Sequence, residues 1–516
     1  MPNRQGESVF QLIKSLEKSE KRNFKLYVRR NSALSNLKVI QLFDAMDKMQ
    51  DYDEKALFRK HPQFIKSQLS NLKAHLYKLI LSSLRVIKQE EHVSLLLSEQ
   101  IDFAQILYQK GLYLQSLKIL DKTKEVAINF HQINSLQQIL DFEKKIEGLY
   151  ITGNIQDRAD KLTAESAKNK HQLSLVSQLS DLALQLYSWY MKNGVARNSE
   201  DLNEVKTFFE DRLPSLPILT KGFYELLYLY QSYAWYALIR QDFLQHYRYS
   251  RKWVDLFSQF PNMMEVETAH YIKGVHNQMT AHFHFRKSDQ LKLSIADFEN
   301  FSNRKIIRTN ENYSTLCFQY LYLAKINLHF IEGSFSEGLT LIPYLKQKLN
   351  EHDQLLDRHR ILVFYYKISC LYFGSKNFEK AIDYLGKIIN QKTDLRSDLQ
   401  CYARLLHLIS HYELGNFNLI EYLIRSVYRY MAKMQNLSGV EEAMFHFLRQ
   451  SFSLRKDEIT SAFEMLLNKI RKQENNRFEN RAFLYLDIIS WLESKLASVD
   501  VQTIIKNKFQ KLSLNH

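Results

Sequence analysis

One spaced pattern constrains this chain more than any other feature. An aromatic or large apolar residue, two residues, a turn residue, one residue and a second large apolar residue recur along it. Clear copies lie at 108–113, 150–155, 190–195, 330–335, 373–378 and 412–417, and weaker ones at 238–243, 285–290 and 454–459. The closing residues, from Tyr113 to Ile459, are spaced by about 43 residues on average. On either side of each turn, apolar residues follow helical offsets: Leu371 and Tyr372 before Ser375-Lys376-Asn377, then Phe378, Ala381, Ile382 and Leu385 after it. The pattern therefore predicts a series of helical hairpins, with a Gly, Asn or Asp at each turn taking the left-handed conformation that ends a helix. A single hairpin cannot bury its apolar stripe, so successive hairpins are expected to stack. Composition agrees, because only 13 Gly and 6 Pro occur in 516 residues. All-β folds and Gly-rich phosphate loops need more turn residues than that. With 45% hydrophobic residues there is ample material for a core.

The segment 368–385 resembles a tetratricopeptide repeat. It has the aromatic Tyr372 in the first helix, Phe378 just after the turn, the small Ala381 and the large apolar Leu385. Segment 103–120 matches less well, with Ser116 where the small Ala belongs. The period exceeds the family's usual length of about 34, and the closing Pro is mostly absent, which points to longer helices. The resemblance covers about 95–470 at the level of periodicity. It implies an all-α fold in which a right-handed α–α superhelix (a TPR-like solenoid of nine or ten hairpins, residues 95–516) follows a small helical module (residues 1–94). It also implies a non-catalytic scaffold that holds a peptide or protein partner on its concave face. Family geometry places Tyr228, Gln231, Trp235, Asn327, Tyr366 and Tyr402 on that face. Residues 223–253 are dense in aromatics, and core packing between helices accounts for many of them.

Residues 1–94 hold no copy of the repeat. Helical patterns occupy 8–18, 20–30, 37–49, 54–60 and 64–87, with Ser19 and Asp53 as expected N-caps. Residues 1–88 contain 18 Lys+Arg and 8 Asp+Glu, so most of the chain's net charge of +15 lies here. Lys21, Lys25 and Arg29, with Arg22 and Arg30 beside them, form one basic helix face, and Lys66, Lys73, Lys78 and Arg85 extend the charge along the next long helix. Such a face suits nucleic acid, the alternative function, although a run of charge is more often a plain solvated surface. No finger, RNP or GXXG reader motif accompanies it.

Motifs for phosphate loops, zincins and nucleophile elbows do not occur, so no catalytic residue, metal or cofactor is expected. His270, His276, His282 and His284, with Glu267 three residues before the first, form the one cluster of metal-ligand types, and they lack the second Glu-x-x-His of a di-iron site. Cys317, Cys370 and Cys401 read as buried thiols of a reducing compartment. No signal-peptide core follows the N-terminus and no apolar run is long enough to span a bilayer, so a cytoplasmic location without membrane contact is expected.

Overall fold

The structure, a computed structural model, describes residues 4–30, 35–88, 92–150, 155–215, 222–351, 356–391, 396–434, 437–451, 453–474, 476, 478–479, 483 and 487–514. These residues form helices and turns with no strand among them. No helix among them is long and apolar enough to cross a membrane. Two compact units result, Met1–Lys170 and His171–His516. The boundary expected near residue 94 falls inside the first.

In the first unit, α1 (Arg4–Ser15), α2 (Lys18–Arg30), α3 (Ser35–Lys48), α4 (Glu54–Lys60) and α5 (Lys66–Lys88) share one core of their own, built on Phe24, Phe43, Leu76 and Ile80. Asp53 caps α4 as expected, accepting from the amides of Lys55 and Ala56. Ser19 caps nothing. Helix α2 already starts at Lys18, and the Glu20 carboxylate takes the Glu17 amide instead. Lys73 leaves the expected basic stripe altogether, being 1% exposed and paired with Glu54 at 2.8 Å. Beyond them α6 (Val93–Gln109), α7 (Tyr113–Asn129) and α8 (Ile133–Leu149) build a second core around Leu97, Leu120, Ile139 and Ile146.

Helix α9 (Ile155–Asn193) contains the boundary between the units. The periodicity predicts a break within it, and none exists, because residues 155–193 contain neither Gly nor Pro to end a helix. The second unit continues with α10 (Ser199–Arg212), α11 (Phe223–Ile239), α12 (Phe243–Gln259), α13 (Met263–Val266), α14 (Thr268–His284), α15 (Ser288–Ser302) and α16 (Lys305–Arg308). After these come α17 (Glu311–Glu332), α18 (Phe335–Gly338), α19 (Ile342–Glu351), α20 (Arg358–Gly374) and α21 (Phe378–Ile389). The chain closes with α22 (Ser397–Glu413), α23 (Phe417–Lys433), α24 (Gly439–Gln450), α25 (Lys456–Gln473), α26 (Ile488–Ala497) and α27 (Val501–Leu514). A 3₁₀ turn separates α18 from α19, just before Pro343, which has no amide to continue the α-helical ladder.

Helices pair in chain order, α6 with α7, α11 with α12, α14 with α15, α20 with α21 and α22 with α23, and within the second unit α12 packs on α14, α15 on α17 and α21 on α22, as a helical repeat requires. The spaced pattern marks the turns. Tyr113, Ile155, Phe243, Phe335, Phe378 and Phe417 each open a helix. At most of these turns one residue is left-handed: Gly111, Gln241, Gly333, Lys376 and Gly415. The following amide then bonds back five residues, as Leu112 to Leu107, Asp242 to Ala237, Ser334 to His329, Asn377 to Tyr372 and Asn416 to His411. The two large residues of the pattern meet across the turn, with ring centroids 5.7 Å apart for Tyr108 and Tyr113, 5.5 Å for Phe330 and Phe335, 5.4 Å for Phe373 and Phe378, and 6.2 Å for Tyr412 and Phe417. Such ring pairs contribute about 0.5–1.5 kcal/mol each beyond area burial. Three copies are displaced. Gly194, rather than Asn193, is left-handed in the third, Arg286 is left-handed and α15 opens at Ser288 in the fifth, and α25 is under way before Asp457 in the last. Gly153 and Asn154, the turn of the second, lie outside the described residues.

Two of these glycines are equivalent in backbone and opposite in surroundings. A Cβ at Gly415 meets nothing closer than the Phe417 ring at 3.7 Å, whereas at Gly333 it lands 2.5 Å from the Lys506 amide nitrogen and 2.7 Å from the Gln502 carbonyl of α27. Gly415→Ala is expected to cost about 1–2 kcal/mol, the left-handed strain alone. Gly333→Ala is expected to cost at least twice as much in urea denaturation, because α27 must move.

Candidate functional site: a basic, aromatic-walled cavity in the second unit

The first helices of successive hairpins, α11, α14, α17, α20 and α22, form one row with the end of α9, and their facing side chains enclose a cavity of about 220 Å³. The row closes on itself. The Arg396 amide donates to the Met191 carbonyl at 3.1 Å, and Gly194 leaves room for the Asp398 carboxylate, which a Cβ would meet at 2.4 Å. The cavity wall is aromatic on one side, with Tyr187 and Tyr190 from α9, Trp235 from α11 and Tyr320 from α17. The Tyr187 and Trp235 rings lie 4.9 Å apart, and His276 stacks on Tyr320 at 4.0 Å.

Cations complete it: Lys273 from α14, Arg360 and Lys367 from α20, and Arg396 at the start of α22. Arg396 is bidentate on Asp398 (2.8 and 2.9 Å), and the Arg360 Nε lies 3.1 Å from Asp357. The Lys273 ammonium lies over the rings of Tyr187 at 4.1 Å and Trp235 at 5.3 Å. That of Lys367 donates to the Asn327 Oδ1 at 2.7 Å and lies 4.9 Å from the rings of Phe283 and Phe330. Burial pushes both ammoniums down to about 8, helped by Arg360 for Lys273 and by Arg396 for Lys367. Both still carry their proton at neutral pH. The cavity histidines do not. Burial first, then the Lys273 charge, pushes His276 down to about 3, and burial with His246 and Lys367 does the same to His284. His359 falls to about 4 by burial and then Arg396.

Three of the six residues expected on the concave face, Trp235, Asn327 and Tyr366, line this cavity. Tyr228 and Gln231 lie on α11 away from it. Gln231 is 3.0 Å from the His270 Nδ1, and Tyr228 meets the His270 ring edge-on at 5.9 Å. Tyr402 is fully buried in a core and donates to the Glu441 Oε1 at 2.9 Å. The histidine cluster is dispersed: His276 and His284 line the cavity, while His282 lies against Tyr247 and His270 against Glu267. Burial pushes the His270 pKa down to about 4 and that of Glu267 upward, so the contact between them is not an ion pair. Among the described residues no three His, Cys, Asp or Glu side chains could hold a metal ion. Sequence reasoning missed Lys273, Arg360, Lys367 and Arg396. The signal for the lysines was legible: each is a lone cation inside an apolar helical run, Tyr271-Ile272-Lys273-Gly274-Val275 and Tyr365-Tyr366-Lys367-Ile368.

A second cavity of about 380 Å³ shares Phe243, Phe283 and His284 with the first and is otherwise mostly apolar, reaching Val501 and Ile505 of α27. In the first unit, Lys21 and Lys25 of the expected basic face are bound to Asp47 (2.7 Å) and Asp44 (2.6 Å) of α3. Arg22, Arg29 and Arg30 are exposed, and Arg22 and Arg29 line an open groove beside Leu26. The three cysteines are buried free thiols, with Cys317 and Cys370 pushed up to about 12 by burial.

No protein-family model matches the chain, and no curated protein is significantly similar to it.

The buried imidazoles fix the direction of acid sensitivity. His246, His276, His284 and His359 have folded pKa values below that of an unfolded histidine, so the unfolded chain binds more protons. Their contribution to stability is complete above about pH 6.5 and declines as pH falls from there towards 4 and below. Thermal midpoints measured from pH 8 to pH 4.5 are expected to drop mainly below pH 6.5, and the drop is expected to shrink in His276→Gln.

Proposed function

We propose that this protein is a non-catalytic binding scaffold. On this reading its hairpins form a right-handed, tetratricopeptide-like superhelix whose inner row of helices receives a peptide or protein segment in the cytoplasm. The observation that carries the reading is convergence. Four helices far apart in sequence, α9, α11, α17 and α20, direct Tyr187, Tyr190, Trp235, Asn327 and Tyr366 to one cavity. Aromatic rings of this kind make strong anchors, because they bury large area at small entropic cost. The cavity's size suits one or two side chains of a partner segment, so the segment is held by an inserted anchor.

Selecting from a displayed random-peptide library against the full-length protein tests this. Selected peptides are expected to lose tenfold or more in affinity with Tyr187→Ala and Tyr190→Ala, and to be unaffected by Leu184→Ala, an exposed residue on the same helix. Equal binding to all four proteins would remove the inner face as the partner site.

The second reading, nucleic-acid association, has one observation in its favour, the exposed Arg22 and Arg29 along the groove of α2. It draws less from Lys21 and Lys25, whose charges are already paired. If it holds, anisotropy with labelled duplex DNA or RNA shows salt-dependent binding that Arg22→Glu with Arg29→Glu abolishes; binding unchanged by that double substitution rules the face out.

A further inference from the structure

Among the described residues, the cavity wall contains four cationic side chains, Lys273, Arg360, Lys367 and Arg396, and no Asp or Glu. Arg360 and Arg396 have carboxylate partners just outside it, Asp357 and Asp398. Lys273 and Lys367 have none within ion-pairing distance among the described residues; their contacts there are aromatic rings and the Asn327 amide oxygen. Lys273 and Lys367 are only partly buried, facing the cavity space; an ammonium confined there without a counter-ion is unfavourable, and rings offset only part of that cost. Two such groups on one wall, 94 positions apart in sequence (Lys273, Lys367), are not the by-product of a single helix turn. A core that needed only packing would place Met or Leu there. An anion entering the space they line would balance them, and the rings of Tyr187, Trp235 and Tyr320 in the same lining suit a flat apolar body attached to it.

We propose that the cavity is an anion-binding site for one phosphate carried on a small aromatic body, with Lys273 and Lys367 as the ion-pairing groups and Tyr187, Trp235 and Tyr320 as the walls that hold the body. This rests on the reading of the inner face as the binding surface. Such an anion arrives either as a free small molecule or on a side chain of a bound segment, and the chemistry at the lysines is the same.

The test uses the full-length protein and four probes at matched ionic strength: phenyl phosphate, acetyl-phosphotyrosine amide, inorganic phosphate and benzyl alcohol. Calorimetric titration is expected to show phenyl phosphate binding at least tenfold more tightly than inorganic phosphate, with no binding of benzyl alcohol. Lys273→Met and Lys367→Met are each expected to weaken it tenfold or more, while the thermal midpoint of the free protein holds or rises, since each removes an unbalanced charge. A ligand-induced change in Trp235 fluorescence, absent in Trp235→Phe, reads the same event without touching a lysine. Equal binding of the capped phosphotyrosine assigns the anion to a peptide side chain, and binding of phenyl phosphate alone assigns it to a free ligand; both support the site. The proposal is overturned if neither aromatic phosphate binds, if wild-type fluorescence does not respond at saturation, or if both Met variants bind as well as wild type. Phosphate binding with no selectable peptide leaves the site standing and removes the peptide scaffold. Peptide binding indifferent to phenyl phosphate and to both Met variants does the reverse.

Discussion

A helix that ends on a left-handed residue and bonds back five positions has to reverse direction at once. The aromatic pair across that reversal fixes which faces of the two helices meet. The second unit depends on repeating this device, at Gln241, Arg286, Gly333, Lys376 and Gly415. Where the ring pair is present, as for Phe373 with Phe378, it packs the second helix against the first. Because the reversal is nearly the same each time, every first helix is delivered to the same row. Residues on its open side then converge from positions up to two hundred apart in sequence. The cavity is a consequence of the turn.

How much of this was legible depended on whether the information was local. Helix starts at Phe243, Phe335, Phe378 and Phe417 follow from short-range chemistry, a turn residue followed by a large apolar one, and the chain shows them openly. The fusion of two expected helices into α9 was also legible in principle, since nothing between Ile155 and Asn193 can stop a helix. The spacing rule overrode that signal. Lys73 shows the opposite failure. Its i, i+7 relation to Lys66 suggested a shared surface stripe, but Glu54, on a different helix, draws it inside. Charge pairing across helices cannot be seen from one helix's periodicity.

The same limit governs the site. Trp235, Asn327 and Tyr366 came from the repeat frame and do face the cavity, while Tyr402, from the same frame, does not. The difference is the closure at α22. There Arg396 is left-handed and bonds to Met191, so Leu399 is the last residue of α22 at the cavity, and Tyr402 lies one turn further on, in a core with Glu441. That closure joins segments far apart in the chain and leaves no periodic trace.

Charge separates the two units' basic groups into different kinds. On α2, Lys21 and Lys25 lie at the rim of a helix pair, half exposed, opposite carboxylates that cost little to keep in water. In the second unit the arginines at the cavity are matched one to one with carboxylates and the lysines are not. If positive charge were there only to keep the interior soluble during folding, the pairing would be indifferent to residue type. Instead the guanidinium groups, which hold carboxylates in a fixed fork, serve the structure: that of Arg396 grips Asp398 and lies over Tyr190 of α9, and that of Arg360 holds Asp357, the residue that caps α20. The ammonium groups, compact charges on flexible stems, are left over the rings. This division assigns the arginines to the walls and leaves Lys273 and Lys367 as the part of the cavity whose electrostatics the fold itself does not complete.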